Sequence, residues 1–129
     1  MKNLQLNYET LIKITKSLSK SKDPEEIIKL TVESIKSSLG IKGCALLLIN
    51  TQTKDLEVAA SAGLSEEYLN KGTVSALHSI AESLKDGPVA VYDVSDDPRI
   101  QYPEAAKKEG IASILSVPIM VGDEAIGTI

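Results

Sequence analysis

Residues 113–129, SILSVPIMVGDEAIGTI, decide the fold. The first nine, SILSVPIMV, are mostly apolar and rich in β-branched residues, which reads as a strand. Gly122 and Asp123 make a tight turn, and EAIGTI starts back as the second strand of a hairpin. The second strand reads as unfinished at Ile129. Within the first, Ser113, Leu115, Val117 and Ile119 share one face, and Ile114, Ser116, Pro118 and Met120 share the other.

Upstream, SKDPEEIIKLTVESIKSSLG (residues 21–40) is the clearest helix. Asp23 is a good N-cap, Pro24 sits at the first helical position, and Glu26 is placed to complete a capping box. Ile28, Val32, Ile35 and Leu39 form one apolar face, and Gly40 fits the left-handed position that ends such a helix. GCALLLIN (43–50) is apolar nearly throughout and predicts a strand covered on both faces. TQTKD turns, and LEVAAS returns as a second strand. Ser65 caps a short helix over EEYLN, and a longer helix is expected over about 74–85, stopped by Gly87 and Pro88. PVAVYDV predicts a third strand, SDDPRIQYP a turn-rich loop, and EAAKKE a short helix closed by Gly110. Residues 3–20 read as a helix with Leu4, Leu11 and Leu18 at heptad spacing and Ile14 between them, interrupted by Asn7. Two readings of that stripe stay open: packing on its own sheet, or a dimerising helix continuing a signalling coiled coil. Helices and strands in this order predict an α+β domain with an antiparallel sheet.

Composition narrows the function. The chain has 129 residues, one domain's worth, and its 43% hydrophobic content is enough for a core. No run approaches the roughly 18 apolar residues a membrane span requires, and the N-terminus lacks a signal-peptide core. A soluble cytoplasmic protein is expected, without membrane insertion. Net charge is −4 with both signs mixed, and no basic stripe would neutralise phosphates, so nucleic acid is not an expected partner. The single cysteine, Cys44, excludes an internal disulfide and any multi-cysteine metal site. With four Tyr and no Phe or Trp, stacking surfaces for flat cofactors are scarce.

Three stretches carry a resemblance to a known family: DPEEIIKLTVESIKSSLGIKGCALLLIN, GPVAVYDVSDDPRIQYPEAAKKEGIASILSVPI and GDEAIGTI. In the second, Gly-Pro before a strand, Asp93 closing it, the Asp97-Pro98-Arg99 turn, Gly110, and then Ser113, Leu115, Val117 and Pro118 form the most specific pattern. Together they resemble the GAF domain, a sensory module of signalling proteins, over nearly the whole chain. The resemblance implies a central antiparallel sheet with terminal helices on one face, and short helices and loops enclosing a ligand pocket on the other. It implies one domain over residues 1–129, with 1–20 as a signalling or dimerisation helix. It also implies that the last strand is incomplete and that a C-terminal helix beyond it is absent. Ser113 and Leu115 are expected to face the pocket, with Val91, Tyr92 and Tyr102 nearby and Asp93 at its border.

The family's ligand classes leave few marks here. The cyclic-nucleotide signature Asn-Lys-Phe-Asp-Glu has only Asn70-Lys71 as a counterpart, which reads as a solvated helix end. Bilin attachment needs a cysteine after the third strand, and none is present. His78, the lone histidine, is read as a partly exposed helix residue rather than a haem ligand. No haem, bilin or metal is expected. A methionine sulfoxide reductase cycle needs an attacking and a resolving thiol, which Cys44 alone does not supply. Cys44 is read as core filler, the sequence gives no reason for Cys44, His78 and Asp93 to converge as a triad, and Asp93, Asp96 and Asp97 are read mainly as turn chemistry. The reading is a non-enzymatic sensory domain that binds an unidentified small molecule, homodimerises through residues 3–20, or both. It would regulate a covalently linked output domain, as in two-component signalling. The alternatives are a ligand-free relay module and a GAF-fold redox enzyme.

Overall fold

In the computed structural model, residues 12, 16, 23–72, 74, 75 and 87–129 are described. Most of the helix expected over 3–20, and the expected helix beyond Ser75, including His78, lie outside the described residues.

Helix α1 (Pro24–Leu39) starts where the sequence places it. The Asp23 side chain accepts from the Glu25 amide at 3.1 Å, satisfying one of the first-turn donors that have no partner within the helix. Gly40, at φ 63°, returns its amide to the Lys36 carbonyl and closes the helix. Strands β1 (Cys44–Ile49) and β2 (Asp55–Ala62) form an antiparallel hairpin. Its turn is held by Asn50, whose side chain accepts from the amides of Gln52 and Thr53. The short helix α2 (Glu66–Leu69) follows, capped by Ser65, whose hydroxyl accepts from the Tyr68 amide.

Val74 and Ser75 form strand β3, antiparallel to β2, with Val74 opposite Leu56 and Ser75 opposite Asp55. The helix expected from residue 74 therefore does not begin there. Cross-strand packing of Val74 on Leu56, which is buried, outweighs the helical spacing of its apolar neighbours. Strand β4 (Val89–Val91), helix α3 (Pro103–Glu109), and strands β5 (Ile114–Ser116), β6 (Pro118–Val121) and β7 (Glu124–Thr128) complete the chain.

Among the described residues, the main sheet has five strands in the order β3-β2-β1-β7-β6, and β4 pairs with β5 in a separate antiparallel ribbon. β7 lies between β1 and β6, so the first long strand sits beside the last. The single strand expected over 113–121 is divided at Val117. On one side β5 follows β4; on the other β6 follows β7. Val117 exchanges two 2.9 Å backbone bonds with Ile129. Close strand approach is permitted by Gly127, where a Cβ would collide with the Leu47 carbonyl oxygen.

Alternation along β1 separates two layers. Cys44, Leu46 and Leu48 pack with Val32, Ile28 and Ile35 of α1. Val32 is wholly buried, and that burial contributes about 1.5–3 kcal/mol. A bulge in β2 adjusts the pattern, since Leu46 opposes Ala60 but Leu47 opposes Val58, leaving Ala59 without a partner. Ala60 and Ala62 thereby reach the α1 layer, whereas Val58 lies with Leu47 on the opposite face. A second cluster, Val91, Val94 and Ala106, joins β4 to α3 with Tyr68, Ile100, Ile111 and Ile114 around it.

Candidate functional site

The sheet face turned away from the body of α1 forms the floor of a cavity of about 740 Å3. Such a volume suits a small organic ligand. Ala45, Leu47 and Val58 provide the floor. Leu64, Tyr68, Leu69, Lys71 and Val74 line one wall, Ile100 to Tyr102 another, and residues 110–117 a third. Ile35, Leu39 and Cys44 border it where α1 passes the end of β1.

The wall helices α2 and α3 are tied together by side chains. Glu109 accepts from the Ser65 amide at 2.7 Å and from its hydroxyl at 2.6 Å, and Lys108 meets Glu67 at 2.5 Å. The Ser65 bonds hold the Glu109 carboxyl below its usual range, aided by Lys42 and Lys71. Lys71 folds back so that its ammonium donates to the Tyr68 carbonyl at 3.2 Å and lies 4.0 Å from the Tyr68 ring centroid. Burial pushes the Lys71 ammonium down, partly opposed by Glu109, and burial pushes the Tyr68 phenol up.

Of the residues expected at the site, Tyr102, Ser113 and Leu115 line the cavity. Leu115 remains 65% exposed there, an unusual state for a leucine of a strand. Val91, Tyr92 and Asp93 are not among the lining residues. Val91 is 1% exposed within the second cluster, and Tyr92, next along the chain, is 88% exposed. Asp93 accepts from the Ser95 hydroxyl at 2.6 Å and amide at 2.9 Å, bonds that lower its carboxyl pKa and make it a turn residue. Asp97 likewise takes the Arg99 side chain and amide, and Arg99 also donates to the Ala90 carbonyl, pinning this loop to β4.

Lys42 and Lys71 are lining residues that the sequence reading did not select. Lys71 reads as the solvated end of a helix, and only its contact with Tyr68 distinguishes it. Cys44 is buried, and burial raises its thiol pKa, the opposite of an activated thiolate.

The sequence profile of the GAF domain family matches residues 23–129. The chain belongs to the GAF domain family. None of the curated proteins matches it. Among solved structures, this GAF domain is similar to that of a phosphoenolpyruvate-protein phosphotransferase from Coxiella burnetii. That pair has 18% identity and a TM-score of 0.78, covering 94% of this chain and 73% of the other. It is also similar to free methionine-R-sulfoxide reductase from Neisseria meningitidis in complex with its substrate. There identity is 19% and TM-score 0.76, covering 94% and 69%. The nlh2 GAF domain of A. aeolicus, in an inactive state, gives 21% and 0.75, covering 96% and 76%. At these identities the likeness establishes the α+β GAF fold, a fold of generally regulatory and sensory modules.

Proposed function

We propose that this GAF domain is a non-enzymatic sensor whose cavity receives a small molecule and whose occupancy biases an attached signalling output domain. The observation that carries the reading is the cavity itself. It is mostly apolar, and it lies between the sheet and the α2–α3 layer. A ligand there would touch both layers and so distinguish two arrangements of them, which is what a switch requires. Native mass spectrometry of freshly purified protein tests this. The expected result is an adduct of a few hundred daltons that is lost on denaturation. Failure to retain or bind any small molecule in a metabolite screen by thermal shift would favour a ligand-free relay module.

The enzymatic alternative takes its interest from the reductase of the same fold. A reductase cycle that ends in a disulfide needs a second thiol, whereas this sequence has one, buried and without a cationic neighbour in β1. No helix among the described residues is long and apolar enough to cross a membrane. A cytoplasmic setting is part of the proposal, as is a homodimer built on the heptad-spaced stripe of Leu4, Leu11, Ile14 and Leu18. Sedimentation should give a dimer that is lost when residues 1–20 are deleted. A dimer unchanged by the deletion would move the interface elsewhere.

A further inference from the structure

Among the described residues, the charged side chains that line the cavity are of one sign. Its lining contains Lys42 and Lys71 and no carboxylate among the described residues. Neither ammonium has a carboxylate within 4.0 Å among those residues, where the close ion pairs are Arg99–Asp97 and Lys108–Glu67. The acid nearest in influence, Glu109, lies within electrostatic reach of both lysines but outside the lining, and its two oxygens are held by Ser65. Both cations thus act on Glu109, the last residue of α3, and the Lys42 ammonium lies 3.8 Å from where a Cβ on Gly110 would stand. The remaining lining is chiefly aliphatic. Tyr68 and Tyr102 are the aromatic rings among the described lining residues, and one face of the Tyr68 ring is covered by the Lys71 ammonium.

We infer that the cavity selects an aliphatic monoanion: a hydrocarbon body laid on the sheet face, with its single anionic head between Lys42 and Lys71. The inference rests on the cavity being a ligand site, as proposed above, and adds the charge and shape of the ligand. Lys71 carries its charge in a partly desolvated place, and a bound anion would relieve that cost. A neutral molecule of the same body would gain only the apolar contact. A cationic one would meet two like charges.

Calorimetric titration of the intact protein with octanoate, 1-octanol, octylammonium and acetate tests this. Octanoate should bind at least about tenfold more tightly than octanol, the usual advantage of a charge-assisted contact. Octylammonium and acetate should give no measurable heat, the first for its charge and the second for lack of a body. In Lys71→Met combined with Lys42→Met, the preference of octanoate over octanol should fall to near unity. Lys71→Arg, which keeps the charge, should retain it. Octanol and octylammonium binding as well as octanoate would leave an apolar ligand site and overturn the selection of charge. An unchanged preference in the double variant would overturn the assignment to these lysines. If none of the three octyl probes bound, both the inference and the cavity as a site for aliphatic ligands would fall.

Discussion

Asp97 is the most perturbed carboxylate among the described residues, because the Arg99 side chain and amide both donate to it. These bonds lower its pKa to about 2. A depressed folded value means that the stabilisation is present above the ordinary pKa of 3.8 and is lost as pH falls toward 2. Carboxyl NMR titration should place the Asp97 midpoint near 2, and Arg99→Leu, which keeps only the backbone bond, should move it toward the ordinary value. An unmoved midpoint would assign the shift to the backbone alone. Cys44 has the opposite sign. Burial raises its thiol pKa, so its contribution is intact below the ordinary thiol value and declines as pH rises through the raised one. Native Cys44 should react with a thiol reagent far more slowly than the urea-unfolded chain. Cys44→Ala should cost on the order of 1 kcal/mol in urea unfolding, through a small cavity. Fast labelling of the folded protein would contradict its burial.

Local chemistry made several elements legible. Asp23-Pro24 and Gly40 bracket α1, Ser65 caps α2, and the apolar run of β1 signals cover on both faces, which α1 and the cavity walls provide. Elements defined by long-range pairing were not legible. Pro118, with no N–H to give a ladder, marks a break beside Val117, but does not tell that the strand changes partner from β4 to β7, because those partners lie far apart in sequence. Val74 fits a helical stripe and a strand equally well until Leu56 is opposite it. The cavity shares this limit: Ser113, Leu115 and Tyr102 were readable from pattern and resemblance, whereas Lys71 depends on Tyr68 folding beneath it. The pairing of β1 with β7 supplies a direct test. Gly127→Ala places a methyl group against the Leu47 carbonyl, and backbone on the facing strand yields less readily than a side chain. The substitution should lower unfolding stability by about 1–3 kcal/mol, the usual penalty of overpacking. Loss of less than half a kcal/mol would show that the two strands separate easily at this point.

Across the whole molecule, the described residues form two apolar clusters that share no member, one centred on Val32, Cys44 and Leu46 and one on Val91, Val94 and Ala106. The cavity borrows its lining from the borders of both: Ile35, Cys44 and Ile129 from the first, Tyr68, Ile100 and Ile114 from the second. Its contents therefore lie between a layer built on a five-stranded sheet and a layer whose only ladder among the described residues is the three-residue pairing of β4 with β5. The thinner layer has fewer backbone bonds to break and should open first. Val91→Ala removes two methyl groups from its centre, at a cost of about 2 kcal/mol. Native-state hydrogen exchange should then quicken by about thirtyfold in β4 and β5, with β1 amides nearly unchanged. Val32→Ala, in the sheet layer, should quicken both. A ligand joining the layers would slow β4 and β5 and leave β1 as it was, which is the coupling a sensor needs. If Val91→Ala accelerated β1 and β4 alike, the molecule would open as one unit, and a switch based on independent movement of the α2–α3 layer would be untenable.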